Sequence, residues 1–382
     1  MRILFLTPFS ALSSTSGTEA RSAAFLTALK NISSVDVVHI NQYETIKQDL
    51  RYQENGITIA QVQTPPENLL SRYNSSIQIT RKIEALLNRR MEDYSCIVGR
   101  YIYGCSKIVT PKNVSIIADL DDIKWRSSPP DIRSNLQSLT IKRLKRKIIE
   151  YKEISKIQML SGSFVLAERD RKYSAKIPTK VLPTPILNPP KYLPSDFTKI
   201  NPKALRFLFV GTLSWEPNYQ GLIWFLEACW AKFCESHPDA TISIVGKVSP
   251  DQISELSSYN NVICKGFVDD LSKEYKECEF VIAPVFSGGG ALVKIAEAAF
   301  YGRPILTTPF AAAGYKGILE AGKDIIVFDN AEDFESSIVF IEKNKERYNS
   351  LIHEARSKAE SFLSFDYFSR EVRGLIELLS PS

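Results

Sequence analysis

In the stretch APVFSGGGALVKIAEAAFYGRPILTT (Ala283 to Thr308), Gly288, Gly289 and Gly290 stand between an apolar strand pattern and a helical one that carries Lys294 and Glu297. Without a Cβ, such a triplet lets backbone N–H groups approach an anion closely, and the positive end of the helix dipole adds to the attraction. Lys294, one turn in, supplies a full positive charge at the same place. Glu297 follows three residues later on nearly the same helix face, where a carboxylate accepts hydrogen bonds from sugar or ribose hydroxyls. These residue types suit a nucleotide sugar. A glycine triplet by itself also serves as a plain strand-to-helix turn.

Other residues offer chemistry of their own. Ser16, Gly17, Thr18 and Glu19 precede a helical pattern from Ala20 to Leu29; they form a ligand loop, a hydroxyl cap with Glu19 in the first turn, or both. Asp119, Asp121 and Asp122 in IIADLDDIKW make a D-x-D, open to a divalent metal, to acceptor binding or a general base, and to solvated caps after a buried strand. Arg100 and Tyr101, just past a strand pattern, face the same crevice or the surface. Trp215 and Asn218 in SWEPN shape a loop beside the nucleotide, or serve as a core aromatic and a helix cap. His39, His237 and His353 are far apart in sequence, so no histidine-based metal or nucleophile–base site is expected.

The elements that must position these groups alternate strand and helix. Strands are expected at Ile3 to Leu6, Val35 to Ile40, Ile57 to Val62, Ser95 to Val98, Ser115 to Asp119, Ser163 to Leu166 and Val181 to Leu182, a pattern of a parallel sheet covered on both faces. The proline-rich segment Pro183 to Pro202 sustains neither helix nor central strand and reads as a linker. The pattern then restarts, with strands at Arg206 to Val210, Thr241 to Val245, Phe280 to Pro284, Ile305 to Thr308 and Ile325 to Phe328, and helices at Asn218 to Cys234 and Ala291 to Tyr301. Two Rossmann-like domains are the expectation, each binding ligands at the carboxyl ends of its strands. A last helical stretch runs from Phe365 to Leu379.

Composition bounds the rest. The 382 residues suit two domains, and 44% hydrophobic with 24% charged residues are globular values. A net charge of +5 falls short of a nucleic-acid-binding signature. Six cysteines without C-x-x-C spacing read as reduced core thiols of a cytoplasmic protein. The opening MRILFLTPFS reads as a buried strand, lacking a signal-peptide core, and no apolar run approaches the roughly 20 residues of a membrane span. Ile141 to Lys156 is a basic amphipathic segment, suited to the solvated face of a domain helix or to peripheral contact with an anionic membrane.

The stretch around the glycine triplet resembles the signature of glycosyltransferase family 4, the glycosyl transferases group 1 of GT-B fold, with Glu297, Ala298, Gly302 and Pro304 at its Glu-Ala and Gly-x-Pro positions. The resemblance extends over Val210 to Ala228, Ser243 to Lys247, Lys265 to Asp270 and Gly314 to Phe334, nearly the whole C-terminal half. It implies two Rossmann-like domains facing each other across a cleft: an acceptor domain over 1–185, a linker over 186–203, a nucleotide-sugar domain over 204–364, and a helix over 365–382 crossing back to the first domain. It departs from the family in having Gly289 where the first glutamate of an E-x7-E pair stands, and Thr212 and Pro217 where an Arg and a Lys commonly neutralise the diphosphate. A branch with a GGG loop and a lysine three before the glutamate is similar to this chain.

By this resemblance Lys294 is catalytic and Gly17, Thr212, Gly288, Gly289, Gly290, Ala291, Lys294 and Glu297 bind the donor; the positions of the remaining residues past their strands make Asp121 the candidate catalytic carboxylate and Arg100 and Asp122 the candidate acceptor groups. The implied activity moves a hexose-type unit from a nucleoside diphosphate sugar to a glycan or lipid-linked acceptor in polysaccharide synthesis, with retention, without a cofactor and without an obligatory metal. Two alternatives share the fold: a nucleotide-sugar 2-epimerase, and a non-catalytic subunit that binds sugar or peptide beside a catalytic partner.

Overall fold

The computed structural model describes residues 1–12, 17–40, 50–62, 72–121, 147–148, 150–190 and 205–380. The chain divides into two compact units, one made of Met1–Leu187 with Phe365–Ser382 and the other of Asn188–Ser364.

The first unit is built on strands β1 (Arg2–Thr7), β2 (Ser34–His39), β3 (Leu50–Glu54), β4 (Ile57–Gln61), β5 (Cys96–Arg100), β6 (Ser115–Leu120), β7 (Gly162–Val165) and β8 (Thr179–Val181), in the order β3-β4-β2-β1-β5-β6-β7-β8. Central strands such as β1 and β5 are apolar runs buried on both faces, which a parallel sheet with helices on either side requires. One face packs Ile79 and Ile83 of the helix Arg72–Leu87 against Leu4, Leu6 and Ile97. The other packs the helix Gly17–Lys30 against Phe5 and Phe164. The helix Phe365–Leu379 completes that second face with Phe368, Val372, Leu375 and Ile376, and Phe25 meets Phe368 edge to face at 4.9 Å. Gly162 admits it: a Cβ there would lie 2.5 Å from Leu379 Cδ1.

The second unit holds β9 (Arg206–Val210), β10 (Thr241–Val245), β11 (Val262–Gly266), β12 (Phe280–Ala283), β13 (Ile305–Thr307) and β14 (Ile326–Val327), all parallel, in the order β11-β10-β9-β12-β13-β14. Phe207 anchors its core, stacked on Phe280 at 5.1 Å and edge-on to Trp230 at 5.3 Å.

Three expectations need correction. The first sheet is not wholly parallel, because β3 pairs antiparallel with β4 along an exposed edge, and β11 is a further edge strand in the second sheet. The helix expected over Asn218 to Cys234 begins at Glu216 and is broken by a π turn at Leu226–Trp230, which rotates Trp230 into the core, where its indole donates to Asn260 O at 2.9 Å. Asn218 lies inside that helix and is no cap. Of Ile141 to Lys156, residues 147–148 and 150–156 are described and are helical. Among the described residues no helix is long and apolar enough to cross a membrane.

Candidate functional site

In the second sheet β9 is followed on one side by β10 and on the other by β12, so the chain reverses direction between β9 and β12. Loops leaving the carboxyl ends of strands on either side of such a reversal diverge and leave a crevice. The loop after β9 carries Gly211 to Trp215 and the loop after β12 carries Phe286 to Leu292. Close packing defines both. Gly288 has φ +115°, and a Cβ there would lie 2.7 Å from the Trp215 ring. Gly290 has φ +62°, and its carbonyl would lie 2.9 Å from a Cβ on Gly314. Thr308 Oγ1 donates to Val285 O, and the Tyr315 hydroxyl donates to Leu292 O at 2.7 Å, tying the glycine loop to the segment after β13.

The helix Val293–Phe300 opens after this loop, so Lys294 is its second residue rather than one turn in. The ammonium is buried. It donates to Asn218 Oδ1 at 2.8 Å and lies 4.2 Å from the centre of the Phe209 ring; Asn218 Nδ2 in turn donates to Thr212 O at 3.0 Å. Gly211 leaves room for these heads, since a Cβ there would stand 3.0 Å from Lys294 Nζ. Burial pulls the Lys294 ammonium down to about 7, opposed by Glu297. An amide oxygen and a ring face are weaker partners for an ammonium than a carboxylate, so the charge is held where an anion would complete it.

Glu297 is partly buried, and its Oε2 accepts from the Tyr275 hydroxyl at 2.8 Å. Burial pushes its carboxyl up, against the Tyr275 hydroxyl and Lys294. Tyr275 is itself fixed, stacked 4.4 Å from Tyr301, and its carbonyl accepts from Arg303 Nε at 2.6 Å. Lys294, Glu297, Thr212 and Gly288 to Ala291 are thus brought to one end of one sheet. Thr212 contributes a carbonyl there and no charge.

The first unit has its own reversal, between β1 and β5. Here Arg21, Arg100 and Asp119 are fully buried. Asp119 accepts from Arg21 Nε at 2.9 Å and Nη2 at 2.5 Å, and forms an ion pair with Arg100, whose Nε lies 3.0 Å away without making a hydrogen bond. Arg100 Nη2 and the Tyr101 hydroxyl both reach Asp121 Oδ2, the latter at 3.2 Å. Tyr101 adopts φ +63°, a costly conformation for a bulky residue and one held here by these contacts. Arg100 is therefore not a surface residue. Among the described residues, two arginines stand against the two carboxylates Asp119 and Asp121. Asp121 keeps 15% of its side chain exposed. Gly17 opens the helix that carries Arg21. Ser16 and Asp122 lie outside the described residues.

Arg21, Phe209 and Tyr275 had no signal in the sequence. Arg21 meets Asp119 across 98 positions, and Tyr275 lies 22 positions before Glu297, separations at which no local spacing speaks.

The two reversal points on two open α/β sheets are those of a GT-B fold, and residues 204–344 match the family described as Glycosyl transferases group 1. The class of fold is GT-B, as the resemblance implied, and the group 1 match lies within its second unit. Among solved structures, the chain is similar to sucrose-phosphate synthase from Thermosynechococcus elongatus (TM-score 0.69, 13% identity, 99% of this chain and 98% of that one). It is also similar to Anabaena Alr3699/HepE in complex with UDP (TM-score 0.66, 15% identity, 99% and 100%). A curated relative, an uncharacterized 44.6 kDa protein in the cps region of Klebsiella pneumoniae, is 26% identical over 196 residues, 49% of this chain; the match spans about half of that relative's length, 48%.

Proposed function

We propose that the protein is a glycosyltransferase that moves a sugar, with retention, from a nucleoside diphosphate sugar to a glycan or lipid-linked acceptor in surface polysaccharide synthesis. The observation that carries this reading is Lys294, a buried ammonium at the mouth of a glycine loop, on the reversal point of an open sheet, whose hydrogen bond and ring contact among the described residues go to the Asn218 amide and the Phe209 ring, with the Glu297 carboxylate acting on it electrostatically. In the proposed reaction the acceptor oxygen bonds to the anomeric carbon as the bond from that carbon to the diphosphate breaks; charge grows on the leaving phosphate, which takes up the acceptor's proton. Lys294 and the N–H groups of Gly288 to Ala291 stabilise that charge where little water competes. Glu297, kept in place by Tyr275, takes the ribose hydroxyls. In the first unit Asp121 and Arg100 serve the acceptor hydroxyl, Asp121 through its exposed edge. HepE has been seen with UDP and with UDP-glucose, and the relative's cps region supports a polysaccharide product.

A thermal-shift screen of UDP-, GDP-, dTDP- and ADP-linked sugars tests the reading: one base should raise the melting temperature, and Lys294→Ala should weaken its binding by about 1.5–3 kcal/mol. Equal affinity in the variant would remove Lys294 from the site. The proposed reaction needs no metal, because the cation at the diphosphate is Lys294 and Asp119 is already neutralised by two arginines. Excess EDTA should leave turnover unchanged; activity lost in chelator and restored by manganese would reverse this. We place the protein on the cytoplasmic side of the membrane. Six free cysteines support a reducing compartment, and exposed Ile148, Tyr151 and Met159 near Lys147, Lys152 and Lys156 support peripheral membrane contact.

A further inference from the structure

At the amino ends of the first unit's strands, about 17 Å along β1 from its carboxyl end, lies a second polar cavity. It has a volume of about 350 Å³, and Arg2, Lys30, Arg51, Arg89 and Asp36 are among the residues that line it. Its charge is one-sided. Asp36 is buried and fully engaged, accepting from Arg2 Nη1 at 3.1 Å and from the Tyr94 hydroxyl at 3.0 Å, with Arg89 Nε 3.3 Å away. Among the described residues, Lys30 and Arg51 make no ion pair. Lys30 ends the helix Gly17–Lys30, whose carbonyl end is weakly negative and offsets part of its charge. The three arginines then face one carboxylate.

We propose that this cavity is a separate anion site, a receptor for a small ligand bearing phosphate groups. Arginine forks match phosphate oxygens two at a time, and the hydroxyls of Ser34 and Thr58 on the cavity wall add donors. The volume exceeds what one phosphate needs and falls at the lower end of ligand pockets, roughly 300–1,000 Å³, so a diphosphate-sized anion fits best. Open α/β sheets bind their substrates at the carboxyl ends of their strands; an anion at the amino ends is not part of that crevice. The site stands whether or not the chain transfers sugars.

Pyrophosphate titrated calorimetrically into Lys294→Ala protein tests it, since that background weakens the glycine-loop site. Binding should persist there and weaken at least tenfold when Lys30→Gln and Arg51→Gln are added. The same loss of charge placed on exposed Lys232 and Lys343 should leave it unchanged. Sedimentation with phosphatidylglycerol vesicles, against phosphatidylcholine alone, separates the two sources of phosphate. Capture that needs Lys30 and Arg51 identifies a lipid headgroup, and pyrophosphate binding without capture identifies a soluble ligand. If neither pyrophosphate nor the anionic vesicles depend on Lys30 and Arg51, or if the Lys232 and Lys343 changes weaken binding equally, the proposal fails.

Discussion

A lysine held near 7 by burial changes charge within the physiological range, and only its protonated form attracts a diphosphate. Bound phosphate oxygens would raise that pKa. Nucleotide affinity should therefore be full below about pH 7 and decline as pH rises towards the bound-state value. Calorimetry at pH 8 in two buffers of different ionisation enthalpy should register uptake of up to one proton on binding, and Lys294→Ala should abolish it; equal heats in both buffers would show that Lys294 binds already charged. The sequence made Lys294 and Glu297 legible because their relation is local, three residues on one helix. It left the partners of Lys294 illegible. Asn218 stands 76 positions away, and nothing in SWEPN distinguishes a cap from a residue that reaches across to another strand's loop.

The glycine loop is shaped as much by the tryptophan packed over it as by its own freedom. Gly288→Ala adds a methyl group into the Trp215 ring at a φ of +115°, so the loop must shift. We expect a loss of stability of about 1–3 kcal/mol and at least tenfold weaker nucleotide binding, read by denaturant titration and calorimetry. Gly289→Ala, where φ is not positive, provides the comparison and should be milder. At this scale the central strands were readable as apolar runs, and boundaries moved by only a residue or two. The edges were not: β3 reads LRYQE and is exposed throughout, and β11 alternates half-buried with exposed residues. An edge strand is held by its backbone ladder, which leaves little mark on residue type. The π turn at Leu226–Trp230 escaped for a similar reason, since apolar residues fill either helical register.

The first unit is discontinuous in sequence, assembled from residues before and after the second. Leu375→Ala should cost about 2–5 kcal/mol in a core that includes Phe25 and Phe164. Hydrogen exchange should then accelerate roughly thirtyfold or more in β1 and β5 and stay unchanged in β9 and β12; uniform acceleration would show that the units unfold as one. The same discontinuity sets an order on the ribosome. At roughly 5–20 residues per second, translating residues 188–364 takes on the order of 10–35 s, and all that time the nascent first unit shows an unfinished apolar face where Phe368, Val372, Leu375 and Ile376 will later sit. The second unit, contiguous in the chain, can fold as soon as it emerges. The half that is translated first is therefore completed last, and that exposed face is where a chaperone would meet the growing polypeptide.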